Sequence, residues 1–309
     1  MSKKIYKYVG SNYIDKVIES PDIITLKCSY PKYFNDPYEL FLTIDFKQQP
    51  KILAFYSDVI GDIPQLPTTC FSRSPSVLPM WAHYAQNLEG FVIEIDETIL
   101  SKSFPKSGLG DVDYQDTPNP SLIETLYRAY AIGKPRYLYM LHGGVFSAAY
   151  YTKASCWNYE EERRMIVHES EIRTTNGLML VDIPKECVTA LICGPRASAE
   201  TTTSIRSKAK QLGCNFFEMI IGRSAISPFF INSDGDTFIF SESNIKRTGK
   251  RCSSCKEPLS SSAKKCSWCK INDAHKNDAA NRNIFRSLNE LGLLDNYIKT
   301  MVEVTENHK

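Results

Sequence analysis

The sequence predicts an α+β body with an irregular mixed or antiparallel sheet at its core, followed by a small cysteine-rich appendage and a C-terminal helix. Two observations predict this fold class. Short apolar runs rich in β-branched and aromatic residues alternate with Gly, Pro, Asn and Asp, as strands and turns do. Helical periodicity is confined to fewer segments, which favours an α+β arrangement with much irregular sheet.

Seven apolar runs are predicted to be strands, each bounded by turn-forming residues. They are IITLKC from Ile23, FVIEID from Phe91, RRMIVHE from Arg163, GLMLVDI from Gly177, VTALICG from Val188, NFFEMII from Asn215 and TFIFSES from Thr237. Helical patterns cover residues 12–20, 120–131 and 198–212. The segment MWAHYA, residues 80–85, is expected to form a short helix that leads through Gly90 into a buried strand.

Composition indicates a folded protein that is neither disordered nor fibrous. The chain has 309 residues, of which 42% are hydrophobic and 23% charged, as in ordinary globular proteins. The most apolar segment, residues 137–151, is interrupted by His142, Gly143 and Gly144 and is shorter than the roughly 20 residues of a membrane span. The N-terminal MSKKIYKY lacks the apolar core of a signal peptide. We therefore predict a cytoplasmic protein without a membrane partner.

Charge divides the chain into three predicted parts: a catalytic α+β domain at residues 1–243, an appendage at 244–272 and an amphipathic helix at 273–309. Residues 244–270 contain eight basic residues and one acid, although the whole chain has a net charge of only +2. This asymmetry predicts a basic appendage on a mildly acidic body. In the tail, apolar residues recur at steps of three and four, which predicts a helix whose stripe docks on the body, another copy or a protein partner such as an antitoxin. They are Ile284, Leu288, Leu291, Leu294, Ile298 and Met301.

Four cysteines of the appendage form two Cys-x2-Cys pairs separated by ten residues: Cys252, Cys255, Cys266 and Cys269. Each pair turns two thiolates toward one point, and four thiolates complete the tetrahedral shell of a structural Zn2+ ion. A redox dithiol would instead be a single pair beside a βαβ unit.

The resulting zinc ribbon is expected to bind nucleic acid, because cations release counterions from phosphates and an exposed aromatic ring stacks on bases. Bracing the fold or binding protein remains an alternative. The candidate contacts are Lys246, Arg247, Lys250, Arg251, Lys264, Lys265 and Trp268.

Four fragments in the body occur in a specific order: IYKYVG, then FNDPYE, then CFS followed by MWAHYA, and finally K-x3-W-x2-E-x-E-x-R starting at Lys153. This combination resembles the family catalogued as domain of unknown function 2971, over about the first two thirds of the chain. Pro37 and the Asn-Asp pair before it predict a constrained turn in FNDPYE. Glu39, just beyond the turn, is a candidate polar contact to a ligand.

The stretch CWNYEEERRMIVHE, from Cys156 to Glu169, contains the acids of greatest interest. If residues 157–167 form a strand, its period of two places Glu160, Glu162 and Arg164 on one face, opposite Glu161 and Arg163. If they form a helix, Glu160 and Arg164 are an ordinary surface pair. The aromatic and β-branched residues of this stretch favour the strand.

The layout of these fragments also resembles the ADP-ribosyltransferases. In that superfamily a first-strand Arg or His holds NAD+, a Ser-Thr-Ser or Tyr element shapes the nicotinamide pocket, and a Glu before a late strand engages the ribose and activates the acceptor. The resemblance implies an ADP-ribosyltransferase-like sheet, NAD+ as substrate and a macromolecular acceptor. Bacterial transferases that modify nucleic acid resemble toxins and antiviral, antiphage effectors.

The residues that the resemblance assigns here depart from the superfamily pattern, since Lys replaces the first-strand Arg or His and CFS replaces STS. The predicted catalytic residues are Glu162, which stabilises the oxocarbenium-like state, Glu160 and the donor His83. The predicted cofactor-binding residues are Tyr6, Lys7, Tyr8, Asn35, Ser72, Trp81 and Tyr84.

Two other functions are compatible with the same residues. A metal-dependent nuclease would use Asp36, Glu39, Glu160 and Glu162, although Arg163, and not the lysine common in such sites, follows the paired acids. A non-enzymatic nucleic-acid or protein-binding module would use the acids and arginines as a salt-bridged scaffold.

Overall fold

A computed structural model describes residues 3–40, 43–260 and 262–307. It confirms a mixed α and β fold with a mixed sheet and a C-terminal cluster of four cysteines. The described residues divide into two compact units, one ending at Thr248 and the other beginning at Gly249. Residues 1–2 and 308–309, at the ends of the predicted ranges, lie outside the described part. The predicted boundaries at 243 and 272 stay predictions.

The described residues form fifteen strands and ten helices. The strands are β1 (Lys4–Val9), β2 (Ile23–Cys28), β3 (Thr68–Ser72), β4 (Phe91–Asp96), β5 (Gly108–Asp111), β6 (Asp113–Tyr114), β7 (Thr152–Lys153), β8 (Glu162–Ile166), β9 (Arg173–Thr175), β10 (Leu178–Pro184), β11 (Val188–Cys193), β12 (Asn215–Ile220), β13 (Phe229–Asn232), β14 (Thr237–Ser241) and β15 (Asn244–Arg247). The helices are α1 (Ile14–Val17), α2 (Pro50–Ile60), α3 (Leu78–Tyr84), α4 (Glu97–Ser103), α5 (Pro120–Ile132), α6 (Pro135–Tyr151), α7 (Ala199–Leu212), α8 (Asp273–Arg282), α9 (Ile284–Glu290) and α10 (Leu294–Asn307).

Ten of these strands form one sheet in the order β15-β14-β13-β12-β11-β4-β1-β3-β8-β5. Its neighbours pair antiparallel except β11 and β12, which are parallel and are connected through α7. Helix α7 begins at the cap Ser198, whose side chain accepts a hydrogen bond from the Thr201 amide, as N-cap serines do. A second sheet has the order β2-β10-β9. The seven strands predicted from apolar runs and the short helix at MWAHYA are confirmed.

Apolar side chains cover both faces of the large sheet. In β1, Ile5 and Val9 join one buried cluster with Phe71, whereas Tyr6 and Tyr8 join a cluster on the other face with Trp81 and Val92. The alternation follows from the two-residue period of a strand. The neighbouring strand β4 is buried along its whole length, so β1 and its neighbours lie in the middle of the first unit.

A separate apolar cluster joins helices α2, α5 and α6. The most apolar stretch of the sequence forms α6, which continues through Gly143 and Gly144 without a break. A side chain at position 144 would place its Cβ 2.6 Å from Leu122, so this glycine allows α5 and α6 to pack closely. None of the helices within the described ranges has the length and apolar character that a membrane crossing requires.

Two helix predictions need correction. Residues 12–20 form a single helical turn, Ile14–Val17, after a 3-10 turn. The one helix predicted for residues 273–309 is three helices, because Asn283 leaves the helical region (φ −82°, ψ 91°) and Gly292 adopts φ +69°. A left-handed glycine ends a helix by placing its amide where it bonds to earlier carbonyls, so the predicted apolar stripe is split between α9 and α10.

Candidate functional site

The large sheet opens between β1 and β3. Among the described residues, β1 and β3 are paired at one position, Tyr6 with Ser72. In contrast, β1 and β4 are paired at six positions. A cavity of about 290 Å³ lies at this opening and is lined by β1, β3, α3, the segment 27–35 and the acids around β8. Residues from both faces of β1 line it, namely Lys7 on one face and Tyr6 and Tyr8 on the other, because the gap interrupts the sheet itself.

The tyrosines of β1 form a fixed aromatic wall of the cavity. The Tyr6 hydroxyl donates to Glu94 at 3.1 Å, and the Tyr8 hydroxyl donates to the Ser74 carbonyl at 2.8 Å. The Tyr8 ring packs edge-on against Trp81, with centroids 5.4 Å apart. With their hydroxyls engaged elsewhere, these two residues offer the cavity their rings.

Two lysines give the cavity a cationic wall. Lys7 Nζ crosses the gap and donates to Thr69 Oγ1 at 3.0 Å and to the Cys70 carbonyl at 2.8 Å. Burial lowers the pKa of Lys7, and the neighbouring Lys27, which also lines the cavity, lowers it further. Among the described residues no carboxylate forms an ion pair with either lysine. Since an ammonium has three donors, one donor of Lys7 is left for a ligand.

The register of β3 and β8 explains why Glu162 lines the cavity. Ser72 is opposite Glu162 and Cys70 is opposite Arg164, so these four side chains share one face. Arg163 lies on the other face, where it forms an ion pair with Glu97 at 2.6 Å. The predicted separation of Glu162 and Arg164 from Arg163 therefore matches the strand geometry from residue 162 onward.

Glu162 is held as an anion by two cations. Arg164 donates to both of its oxygens, at 2.8 and 3.0 Å, and Lys153 Nζ lies 3.5 Å away. Burial alone would raise the pKa of Glu162, but these charges and hydrogen bonds outweigh it and lower the pKa to about 2. At neutral pH this group is therefore an ionised carboxylate, a form that can stabilise positive charge.

Arg164 also anchors the FNDPYE loop. Its guanidinium, with a side chain that is 0% exposed, donates to both oxygens of Glu39 at 2.9 Å. The same group lies 5.4 Å from the centre of the Phe34 ring. Glu39, predicted as a contact to a ligand, is therefore part of the loop anchor. In the turn itself, buried Asp36 accepts a hydrogen bond from the Tyr38 amide at 2.9 Å.

Glu160 lies in a 3-10 turn, Ser155–Glu160, and not in the strand predicted to begin at Trp157. Glu161 adopts the left-handed conformation (φ +44°), which ends the turn and delays β8 to Glu162. Glu160 nevertheless lines the cavity beside Glu162. The turn achieves this because it brings Glu160 back toward Lys153, on β7.

Lys153 and Tyr84 hold the Glu160 carboxylate from two sides. Lys153 Nζ donates to one oxygen at 2.7 Å, and the Tyr84 hydroxyl donates to the other at 2.6 Å. Burial alone would lower the pKa of Lys153, but Glu162 and Glu160 raise it, so the lysine stays charged. Lys153 also lies 4.6 Å from the centre of the Trp157 ring. This lysine is the common partner of three acids, since Glu39 is 3.8 Å away.

The structure brings most of the predicted site residues together. Tyr6, Lys7, Tyr8, Asn35, Ser72, Tyr84, Glu160 and Glu162 all line the cavity. His83 and Trp81 do not, because they lie on other sides of α3. His83 is exposed, with its ring 6.3 Å from that of Tyr159. Trp81 is fully buried and donates its indole N–H to the Pro75 carbonyl at 2.8 Å.

Sequence reasoning did not assign a role to Lys153, Lys27 or Tyr33, which also line the cavity. Lys153 was visible as the lysine of K-x3-W-x2-E-x-E-x-R, and a cation shortly before two acids is a signal for a paired site. Lys27 and Tyr33 are separated from the acids by more than a hundred residues of sequence, and no local pattern relates them to the acids.

The four predicted zinc ligands converge in the second unit. Their sulfur atoms all lie within 4.8 Å of one another, and Cys255 and Cys266 are 3.8 Å apart. A tetrahedron with Zn–S arms of about 2.3 Å has edges of about 3.8 Å. The Cys266 amide donates to Cys252 Sγ and the Cys269 amide to Cys266 Sγ, each at 3.4 Å, as expected for the outer shell of a metal site. The cluster fits a structural zinc site.

The predicted nucleic-acid contacts are divided between the two units. Lys246 and Arg247 belong to β15, where they form ion pairs with Glu242 and Asp236. Lys264 and Lys265 are exposed in the second unit, and Trp268 is 61% exposed. Nucleic-acid binding by these residues stays a prediction.

Comparison with curated proteins and comparison with solved structures each found no match. A family model matches residues 80–165, the range that contains most of α3 and Lys153, Glu160 and Glu162. The resemblance predicted from the motifs is thereby confirmed, since the description of that model is Protein of unknown function (DUF2971).

Proposed function

We propose that this chain is an NAD+-dependent ADP-ribosyltransferase that modifies nucleic acid. The observation that supports the proposal most is the opening between β1 and β3, which collects lysines, aromatic rings and two carboxylates around one cavity. Three lysines and two glutamates line it, so the cavity suits an anionic ligand that also has a cationic part. NAD+ has this combination, because its pyrophosphate is anionic and its nicotinamide ring is cationic.

The glutamates suit the two halves of the transfer reaction. When the bond between nicotinamide and ribose breaks, the bonding electron pair leaves with nicotinamide and positive charge develops on the ribose. Glu162, which is anionic at neutral pH because its pKa is about 2, stabilises that charge in a site enclosed by aromatic rings. An acceptor oxygen or nitrogen then bonds to the ribose carbon and releases a proton.

Glu160 is the base that we assign to that proton. Its carboxylate is positioned by Tyr84 at 2.6 Å and Lys153 at 2.7 Å. Burial and the Glu160 charge raise the pKa of Tyr84, so its hydroxyl stays protonated and remains a donor. A carboxylate fixed by two donors keeps lone pairs for a third, the acceptor group. His83, exposed and outside the cavity, has no part in the proposal.

Lys7 and Lys27 are assigned to the pyrophosphate. Neither forms an ion pair with a carboxylate among the described residues. The Lys7 ammonium is also partly buried, which is costly for a charge without a counterion. An anionic ligand that accepts the remaining donor of Lys7 would offset this cost. Lys7 thus takes the place of the Arg or His on the first strand of the superfamily.

Nucleic acid is the acceptor class that we favour because of the second unit. Exposed Lys264, Lys265 and Trp268 supply cations and a ring to a polyanion with stacking bases. Modification of an essential nucleic acid would make the protein a toxin or an antiviral effector. Induced expression should then stop growth for the wild type but not for Glu160→Gln.

The direct test uses NAD+ labelled in its adenylate phosphate, incubated with separate pools of RNA, DNA and protein. We expect label in one nucleic-acid pool, with release of nicotinamide. Glu160→Gln and Glu162→Gln should lower transfer at least a hundredfold, a typical loss for a catalytic acid or base or for an electrostatic group. Glu161→Gln is the matched control, because Glu161 lies between them and is exposed.

Absence of both nicotinamide release and label transfer would refute the proposal. Label found only in the protein pool would support the transfer reaction but would contradict nucleic acid as the acceptor. Separately, Lys264→Glu/Lys265→Glu should lose retention on RNA or DNA, and unchanged retention would show that the ribbon is not the contact.

The non-enzymatic module has one observation in its favour, namely the buried ion-paired set of Glu39, Arg164 and Glu162. Such a set would brace a binding protein equally well. That alternative predicts nucleic-acid retention with no nicotinamide release. The nuclease alternative has less support, since Lys153 and Arg164 already engage the acids that would hold its metal ions.

A further inference from the structure

The cavity is smaller than the ligand proposed for it, which raises the question of where the second nucleotide lies. Pockets that enclose drug-sized ligands have volumes of about 300–1,000 Å³, and this cavity has about 290 Å³. NAD+ consists of two nucleotides, so the cavity can enclose the nicotinamide ribose half near Glu160 and Glu162. The adenosine half must then lie at the rim. This step rests on the proposed function.

Tyr33 is the aromatic residue that the structure presents at this rim. It lines the cavity and is nevertheless 70% exposed. It closes the 3-10 turn Pro31–Tyr33, where Pro31 is buried and the Phe34 amide donates to the Pro31 carbonyl at 2.9 Å. Core packing therefore explains little of the position of this ring.

Contacts with Arg164 anchor the loop that follows Tyr33. Glu39 forms its two-point bond to Arg164 at one end, and Phe34 lies over the same guanidinium. Burying an ion pair costs desolvation energy, which the attraction between the two charges only partly offsets. A loop fixed in this way orders its exposed ring before a ligand arrives, which reduces the entropy lost on binding.

We propose that Tyr33 is the stacking surface for the adenine base of NAD+, and therefore the residue by which the site prefers the dinucleotide over nicotinamide mononucleotide. Lys32 Nζ lies 5.0 Å from the centre of the Tyr33 ring, and a cation on one face leaves the other face for a base. The segment from Lys27 to Asn35 runs along the cavity, with Lys27 and Tyr33 both lining it. Lys27 and Tyr33 thus offer a phosphate contact and a base contact in the lining of the same cavity.

The test removes the ring and the base in turn. NAD+ and nicotinamide mononucleotide are titrated by calorimetry into the full-length wild type, Tyr33→Ala, Tyr33→Trp and Tyr139→Ala. Base stacking on an aromatic ring contributes a factor of about 5 to 150 in affinity. We expect Tyr33→Ala to weaken NAD+ binding within that range and to leave mononucleotide binding unchanged. Tyr33→Trp should keep the wild-type affinity for NAD+. Tyr139→Ala, which removes an 82% exposed ring outside the cavity lining, should change neither.

The outcomes separate this inference from the proposed function. Suppose that wild type binds both ligands, and that Tyr33→Ala either weakens the binding of both ligands equally or weakens the binding of neither. Tyr33 then does not hold the adenine, and the inference is overturned while the NAD+ site stands. If wild type binds neither ligand, the proposed function fails and the adenine subsite fails with it.

Discussion

Replacing Arg164 by methionine should destabilise the first unit strongly. The guanidinium makes two hydrogen bonds to Glu162 and two to Glu39, between 2.8 and 3.0 Å, and one to the Tyr150 carbonyl at 2.9 Å. Without it, the ion-pair partner that the described residues leave to the two buried carboxylates is Lys153, at 3.5 and 3.8 Å. Breaking a buried pair by removing one partner costs about 3–5 kcal/mol. Because two pairs are broken, we expect a loss near 5 kcal/mol, a large share of the roughly 5–15 kcal/mol that stabilises a typical protein.

The assay is urea unfolding followed by tryptophan fluorescence in a Trp268→Phe background. In that background both remaining tryptophans, Trp81 and Trp157, report on the first unit. Arg163→Met is the matched control, since it removes the neighbouring arginine from the other face of β8. Glu97 keeps a second arginine partner there, and Asp111 is largely exposed, so the control should lose only about 1–2 kcal/mol.

A double variant tests whether uncompensated charge causes the loss. Arg164→Met/Glu39→Gln leaves a neutral amide in place of one stranded carboxylate, so it should be more stable than Arg164→Met alone. Equal losses for Arg164→Met and Arg163→Met, or no recovery in the double variant, would refute the reasoning from buried charge.

Two further predictions concern pH and metal. The folded-state pKa of Glu162, about 2, lies below its ordinary value of 4.5, so the carboxylate stabilises the fold above pH 4.5 and that stability is lost as the pH falls toward 2. At about 1.4 kcal/mol per pKa unit, this contribution to the free energy of unfolding is about 3 kcal/mol. Urea unfolding between pH 7 and pH 2.5 should therefore show that Glu162→Gln loses less stability than wild type as the pH falls. Parallel plots of stability against pH for the two proteins would contradict the assignment. Cys252→Ser, or a strong chelator, should remove about one equivalent of zinc and the order of the second unit, since structural zinc supplies folding energy. Metal analysis and hydrogen exchange measure this, with Cys156→Ser as a control because Cys156 is exposed outside the cluster, and unchanged protection without zinc would contradict it.

Local patterns in the sequence determined seven of the fifteen described strands, the cysteine cluster and the identity of the acids. Apolar runs predict strands because a buried strand needs side chains that fit a pleated surface, wherever it lies in the sheet. The spacing of the four cysteines was enough to predict the cluster, because two Cys-x2-Cys pairs at hairpin distance bring their thiolates to one point. The period of two also separated Glu162 and Arg164 from Arg163, which the register of β3 and β8 maintains.

Tertiary structure alone decided which of these residues meet. The opening between β1 and β3 depends on strand order, and no local pattern encodes it. Glu39 and Arg164 are 125 residues apart in sequence and form a two-point ion pair, which converts a predicted ligand contact into a loop anchor. His83 and Tyr84 are adjacent in sequence, yet only Tyr84 lines the cavity. The packing of α3 makes that choice, because a helix turns neighbouring side chains about 100° apart and the core covers only one of its sides.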